Sequence, residues 1–350
     1  MRFTFGTVVL ISLTLLVSRG LGQAGVERGL HSAGTSAEPL EEKWPFDAKE
    51  AQDRQRRAAK ALNAAVEWAC PLGDKLDVTL VIVPPGRFLM GTKLPKEHEE
   101  NWIQHEVILT RPFYMGKYEV TRGQFAAFVA DTGYKTQAEK DGTTRVWDGV
   151  IGGGNYVPRP VSWRKPGFEQ TDDQPVVYVS WDDAVEFCKW ASKKTTRAIA
   201  LPTEAQWEYA CRAGTATAYP WGETLKEGKG YYHGLGQEGD EYTNTAPVGK
   251  FKPNAFGLHD MIGNVTEWVA DRYAKKYYRV SEREDPQGPD TGPGDNHMTR
   301  GGHSNAWTSY TRFPSESTFR HQCFGFRVVM AADGSASRPA SMPSSQPASR

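Results

Sequence analysis

The chain has no two cysteines near each other. Of Cys70, Cys188, Cys211 and Cys323, the nearest two are Cys188 and Cys211, 23 positions apart. No C-x-x-C exists, which excludes a zinc knuckle and a thioredoxin-type redox pair. Four cysteines allow three pairings if all are oxidised, and spacing favours none. Charge of one sign is also missing. Lys plus Arg and Asp plus Glu are balanced at 42 each. A nucleic-acid partner needs a basic surface to neutralise phosphates, and this chain offers no such excess. The same balance argues against adhesion to anionic membranes. Long apolar runs are scarce: Val8 to Val17 is the longest, and a membrane-spanning helix needs roughly 20 residues. There is no P-loop and no H-E-x-x-H. Gly152 to Gly154 and Gly301-Gly302 lack the strand and helix that give a glycine-rich loop its phosphate-binding geometry. Serines and histidines are scattered without a nucleophile elbow. His98 and His105 flank Trp102 in a charged stretch that reads as surface loop.

What is present begins with an export signal. Arg2, the apolar run Val8 to Val17 and the small residues Gly20 to Ala24 follow signal-peptide order. Residues 1–23 are therefore expected to be a signal peptide, with an uncleaved anchor as the competing reading. The expected destination is secreted or periplasmic, with no stable membrane insertion after cleavage. Residues 24–46 read as a polar linker. Residues 47–68 (DAKEAQDRQRRAAKALNAAVEW) are Ala-rich and predict a helix, either solvated or docked on a partner. A body follows over 76–330, then a low-complexity tail over 334–350 that is expected to be disordered.

Within the body, Leu76 to Met90 alternates apolar residues around Pro84-Pro85-Gly86 and predicts a β-hairpin. Val107 to Leu109 and Phe113 to Met115 predict two more strands, and Phe324 to Met330 a closing one. Three helices share one start signal. Thr121 with Gln124, Ser180 with Asp183, and Thr203 with Gln206 each have the spacing of a capping box ahead of an apolar stripe. Gly133 and Gly214 stand where helix-terminating glycines belong. Cys188 and Cys211 fall on the apolar faces, which predicts packing first and a disulfide second. The 35 glycines and 22 prolines point to many turns, and the 11 tryptophans to large aromatic anchors. The sum is an α+β fold with little regular secondary structure and long ordered loops. Such loops are normally functional or tied down by ions.

The strongest site candidates are oxygen ligands. Asp260-Met-Ile-Gly-Asn-Val-Thr-Glu267 puts two carboxylates around a Gly-Asn turn, and hard cations such as calcium take carboxylate and carbonyl oxygens together. Glu238, Asp240 and Glu241 form a second acidic loop. The competing reading is a capped turn ahead of a helix carrying Trp268.

Eight segments together resemble the formylglycine-generating-enzyme, or sulfatase-modifying-factor, family. They are VPPGRFLMGT (83–92), YMGKYEVTRGQFAAFV (114–129), PVVYVSWDDAVEFCKWAS (175–192), LPTEAQWEYACRAGT (201–215), YPWG (219–222), NAFGLHDMIGNVTEWVAD (254–271), RGGHSNAW (300–307) and GFRVV (325–329). The resemblance implies a C-type-lectin-like fold and structural calcium. Asp260 and Glu267 match side-chain ligands of the family, with Asp260 standing where Asn is usual, and Gly263 and Val265 match its carbonyl ligands. Asp240 and Tyr242 match a second site, whose further Asn is not evident near Tyr231.

The family's oxidases convert a sulfatase cysteine to formylglycine with a copper-binding cysteine pair. Aligned on Arg300-Gly301-Gly302, those two positions hold Ala306 and Thr311, and two further oxidase-site positions hold His303 and Thr266. Methyl and hydroxyl groups do not replace thiolates as Cu(I) ligands, so copper is not expected. After GFR, Val328 stands where the oxidases place a disulfide cysteine.

The resemblance therefore implies an exported non-oxidase member acting as a binding or accessory module. Its candidate pocket residues are His303, Asn305, Trp307, Tyr310 and Arg312, with ordinary packing as the competing reading. The ligand would be a glycan, a peptide or a protein, a sulfatase among them. The alternatives are an enzyme of altered chemistry, with His303 as acid or base, and a formylglycine-generating oxidase.

Overall fold

The computed structural model describes residues 43–73, 76–93, 102–147, 155–234, 241–302 and 307–332. The expected signal peptide, most of the linker and the tail from 334 lie outside the described residues. So do His98, Gly152 to Gly154, Glu238, Asp240, His303, Asn305 and Ala306.

The elements in order are α1 Ala48–Ala61, β1 Glu67–Gly73, β2 Leu76–Val83, β3 Gly86–Met90, β4 His105–Leu109, β5 Phe113–Gly116, α2 Arg122–Thr132, α3 Gln137–Asp141, β6 Thr144–Trp147 and β7 Tyr156–Arg159. They continue with α4 Trp181–Thr195, β8 Ile199–Ala200, α5 Glu204–Arg212, β9 Thr266–Arg272, β10 Asn296–Arg300, β11 Phe313–Glu316, β12 Phe324–Phe326 and β13 Val329–Ala331. A five-stranded sheet runs β1-β2-β5-β13-β8, and a four-stranded sheet runs β11-β10-β9-β12. The pairs β3-β4 and β6-β7 stand apart from them. This is the expected mixed α+β fold, with short helices, curled sheets and long loops.

Strand β2 shows why the centre is solid. Its side chains alternate between faces. Leu80 and Ile82 join a core with Phe125, Phe128, Phe187 and Trp268. Val81 and Val83 join a second core with Phe88, Trp207 and Tyr209. The sheet is therefore buried on both faces, and local polarity could not reveal a solvent side.

The three capping boxes form as the sequence predicts. Thr121 Oγ1 accepts from the Gln124 amide at 3.2 Å, and Gln124 Oε1 accepts from the Thr121 amide at 2.9 Å. Ser180 with Asp183 and Thr203 with Gln206 repeat the exchange. Gly133 ends α2 in the left-handed region.

Five expectations change. The helix over 47–68 stops at Ala61; Leu62 caps it, Asn63 turns left-handed at φ +49°, and Trp68 lies in β1. One face of this helix packs on the chain's own body: the Gln55 amide donates to the carbonyls of Ile82 and Phe256 at 2.8 and 2.9 Å. Leu76 to Met90 is not a hairpin. Two consecutive prolines remove two ladder donors, so β2 pairs with β1 and β5 while β3 leaves to pair with β4. Trp268 lies on strand β9, not on a helix. Phe324 to Met330 is two strands in two sheets, broken at Arg327-Val328. Finally, Ala213 rather than Gly214 is the left-handed cap of α5. Gly214 is needed for another reason, since a Cβ there would strike the Phe46 ring.

Candidate functional site

The segment from Asp260 to Glu267 runs into β9 and is held from three sides. The Gly263 amide donates to Gly301 O at 3.2 Å, Asn264 to His233 O at 2.8 Å, and Thr266 to Cys323 O at 2.7 Å. Asp260 and Asn264 both sit at φ +57°. Such non-glycine residues in the left-handed region cost energy and persist only where surroundings enforce them. Asn264 secures the turn further, because its Oδ1 accepts from the Ala246 amide at 3.0 Å.

The two predicted carboxylates differ in state. Glu267 is fully engaged: Arg327 grips it as a fork, with Nε to Oε2 at 2.7 Å and Nη2 to Oε1 at 2.6 Å, and Trp207 Nε1 donates to Oε2 at 2.8 Å. Arg327 also donates to the carbonyls of Gly116 and His259, each at 3.0 Å. Burial opposes the charge on Arg327, but Glu267 outweighs it and the guanidinium is held above its ordinary pKa. Asp260 is less satisfied. Its Oδ2 accepts from the Gly249 amide at 2.7 Å, while Oδ1 is buried without a hydrogen bond. Burial pushes its carboxyl up to about 6, against the pull of the Gly249 amide and Arg327.

Sequence reasoning missed a third carboxylate. Glu119, between β5 and α2, is 2% exposed, and neither carboxylate oxygen has a hydrogen-bond partner. Burial first, and then the neighbouring Asp260, drive its carboxyl well above the ordinary range. The one sequence signal was a lone acid between Tyr118 and Val120, in a stretch that otherwise reads as core. Arg327 carries the same signal between Phe326 and Val328.

The fit to calcium is mixed and specific. Among the described residues no three His, Cys, Asp or Glu side chains are grouped to hold a metal. A cation here would therefore draw on fewer carboxylates plus main-chain oxygens, as hard cations do. At the second predicted site, Asp240 lies outside the described residues, and Tyr242 is half-buried with its ring edge-on to His233.

The predicted pocket residues do not all come together. Tyr310 borders a cavity of about 380 Å³ with Trp44, Lys93, Gln104, Arg212 and Glu223. Trp307 covers Gly302, at φ +63°, so closely that no Cβ fits there. Arg312 lines no open surface. It is buried, and it chelates Glu204 with two bonds of 2.7 Å while lying over the Tyr278 ring at 4.2 Å. Arg300 continues this internal network, donating to Glu208 Oε2 at 2.5 Å and to the carbonyls of Ser309 and Thr311 at 3.1 Å. Burial opposes the Glu208 charge, but Arg212 and Arg300 hold its carboxyl below the ordinary range. These ions shape the loop that carries Trp307 to Thr311. The Thr311 hydroxyl is itself used in that loop, 2.8 Å from Thr308 Oγ1 and 3.0 Å from the Thr308 amide.

All four cysteines are buried and unpaired with one another. Cys70, Cys188 and Cys323 belong to one core and Cys211 to the other. Burial raises every thiol, Cys70 to about 11 and Cys211 to about 12. Cys323 has one polar neighbour of note, His321 Nδ1 at 2.9 Å from Sγ.

This arrangement has relatives. A formylglycine-generating enzyme of Bos taurus is 32% identical over an alignment covering 94% of this chain and 91% of that protein. An inactive C-alpha-formylglycine-generating enzyme 2 of Mus musculus is 34% identical, covering 59% of this chain and 73% of that one. The solved structure of PvdO from Pseudomonas aeruginosa superposes with a TM-score of 0.60 at 28% identity, covering 76% of this chain and 97% of PvdO. Residues 74–332 match the sequence profile of the sulfatase-modifying factor enzyme 1-like domain, and the chain belongs to that family.

Proposed function

We propose that this chain is a calcium-stabilised, exported, non-oxidase member of its family that serves as a binding or accessory module. The observation that carries this reading is the fate of sulfur. The chain has four thiols, and all are buried, protonated and spread over two cores. Cu(I) chemistry of the oxidase kind uses a soft thiolate pair. The two aligned positions hold Ala306 and Thr311, and the Thr311 hydroxyl is committed to its own turn. One relative bears the name of an inactive enzyme, so the fold outlasts the activity in that protein.

Calcium supports the scaffold in this reading. It would be held by Asp260 and the carbonyls of Gly263 and Val265, and it would supply the charge that the orphaned Asp260 Oδ1 lacks. Export rests on Arg2, the Val8 to Val17 run and the small residues after it. The ligand is a glycan, a peptide or a protein such as a sulfatase, taken at the cavity that Tyr310 borders.

The test is a Cu(I) competition titration of the purified chain against a colorimetric chelator. The expected result is no stoichiometric retention. Retention of one equivalent, lost on alkylation of unfolded protein, contradicts the reading. A second reading, an enzyme of altered chemistry, is favoured by the contact between His321 and Cys323. The Thr266 amide bonds the Cys323 carbonyl, and Thr266 aligns with an oxidase-site residue. Selective alkylation of Cys323 in the native protein, lost in His321→Ala, is the result that would favour it.

A further inference from the structure

We propose that the cavity bordered by Tyr310 is an anion site that takes the carboxylate or sulfate group of an acidic sugar residue. The inference rests on the reading above that this cavity holds the ligand, and it names the ligand's class. The cavity encloses about 380 Å³. That lies at the low end of small-molecule sites, which suits a sugar residue or a short side chain and not a protein surface.

The deepest polar group is a cation. Arg212 borders the cavity and is 2% exposed. Its Nε donates to Glu208 at 2.9 Å, Nη2 to Gly91 O at 3.0 Å and Nη1 to Thr217 O at 3.1 Å. Nη1 carries two hydrogens, and Thr217 O is its one acceptor among the described residues. The charge behind it is in excess. Three guanidinium groups, Arg212, Arg300 and Arg312, share two carboxylates, Glu204 and Glu208. Asp271 is the next acid, and burial with Glu204 raises its carboxyl to about 7, so below neutrality it offsets little of that excess. A guanidinium with a donor to spare matches the planar fork of a carboxylate or the oxygens of a sulfate.

The rest of the lining agrees. Lys93 borders the cavity and is exposed. Glu223, the one carboxylate among the described lining residues, is exposed, and its Oε2 accepts from the Ala218 amide at 3.2 Å. Trp44 Nε1 is a further buried donor without an acceptor. Trp44 and Tyr310 border the cavity with Gln104. Aromatic residues offer an apolar body with a polar tip, and a sugar ring has a CH face and hydroxyls to meet both.

The test uses the whole chain at pH 6 and ligand-observed NMR titrations with glucuronate, glucose 6-sulfate, glucose and N-acetylaspartate. Wild type is expected to bind both acidic sugars roughly tenfold more tightly than glucose, because hydrogen bonds to an ionised acceptor are about twice as strong as neutral ones. Lys93→Ala and Ala216→Glu alter exposed lining positions, so both are expected to melt as wild type does. Lys93→Ala is expected to weaken acidic-sugar binding by roughly threefold, as loss of a partly solvated charge does. Ala216→Glu brings a negative charge to the cavity and is expected to abolish that binding. Glucose bound as tightly as glucuronate overturns the anion site and leaves the cavity as a ligand site standing. N-acetylaspartate bound as tightly as glucuronate overturns the sugar in favour of an acidic peptide. Acidic-sugar binding unchanged in both variants overturns the cavity itself, and no binding of any probe by wild type overturns the ligand class.

Discussion

Replacing Asp271 with Asn is expected to stabilise the protein, and to do so more as the pH rises. Asp271 lies in β9 and is 3% exposed. Its Oδ2 accepts from the Glu204 amide at 2.7 Å, and Gly288 packs against the carboxyl so closely that a Cβ there would sit 2.8 Å from it. Burial, and then repulsion by Glu204, raise its pKa from an ordinary 3.8 to about 7; Arg312 and Arg300 pull the other way and lose. Glu204 has already absorbed Arg312 through two bonds.

The sign follows from which state holds the proton. Below pH 3.8 the carboxyl is neutral folded and unfolded, and it costs nothing. Between 3.8 and about 7 the folded state keeps a proton that the unfolded state has released, so stability falls as pH rises. Above 7 the loss is complete. At about 1.4 kcal/mol for each pH unit between the two values, the ceiling is roughly 4 kcal/mol. Water penetration reduces that, and about half is a working figure. Asn keeps an acceptor for the Glu204 amide and carries no charge. The assay is the melting temperature of both proteins from pH 4.5 to 8. The gap in favour of Asp271→Asn is expected to widen to several degrees by pH 7.5, at roughly 2–4 °C for each kcal/mol. Other titrating groups are common to both proteins and cancel. A gap that stays constant over that range refutes the reasoning.

Two further outcomes follow from buried charge. Arg327→Met strands Glu267 in the core and is expected to cost about 3–5 kcal/mol by urea denaturation. The double variant Glu267→Gln/Arg327→Met is expected to recover part of that loss, because it removes the stranded charge; a cost near zero for the single change contradicts the pairing. His297 is 2% exposed and stacks on Trp181 at 3.8 Å. Burial, aided by Arg272, lowers its pKa to about 4, so it stays neutral while unfolded chains take up a proton below about 6.5. Stability tied to His297 is therefore full above 6.5 and lost as pH falls towards 4. An NMR titration of its ring is expected to be flat above pH 5.5, and a midpoint near 6.5 contradicts the burial.

The elements that were legible in the sequence are those whose cause is local. Each capping box needs only residues three apart, so Thr121, Ser180 and Thr203 announce their helices without help from the rest of the chain. The hairpin at Pro84-Pro85 failed because alternation reports burial and not the pairing partner. β2 pairs back onto β1 and across to β5, and β3 pairs with β4, so the two runs around the prolines never meet as partners. Trp268 failed for a similar reason. Its strand is set by β10 and β12, on either side in the sheet, and a short apolar run looks the same in a helix. The candidate site was half legible. Asp260 and Glu267 share a turn and could be seen together, whereas Glu119 and Arg327 come from distant connections, one after β5 and one between β12 and β13. Only folding shows that Arg327 takes Glu267 and that both oxygens of Glu119 are left buried without a hydrogen bond. Arg312 was misplaced on a pocket wall because its partner, Glu204, lies 108 positions away.

The central claim is that this domain keeps the family fold without the family's cysteine oxidation. The direct measurement is the mass of a peptide carrying the sulfatase cysteine motif after incubation with the purified chain, copper and oxygen, with an active family member run alongside. The account predicts an unchanged peptide, since neither Ala306 nor Thr311 carries a thiolate and every other thiol is buried. Time-dependent conversion of the cysteine to an aldehyde, captured by a hydrazine probe and absent with heat-inactivated protein, would contradict it.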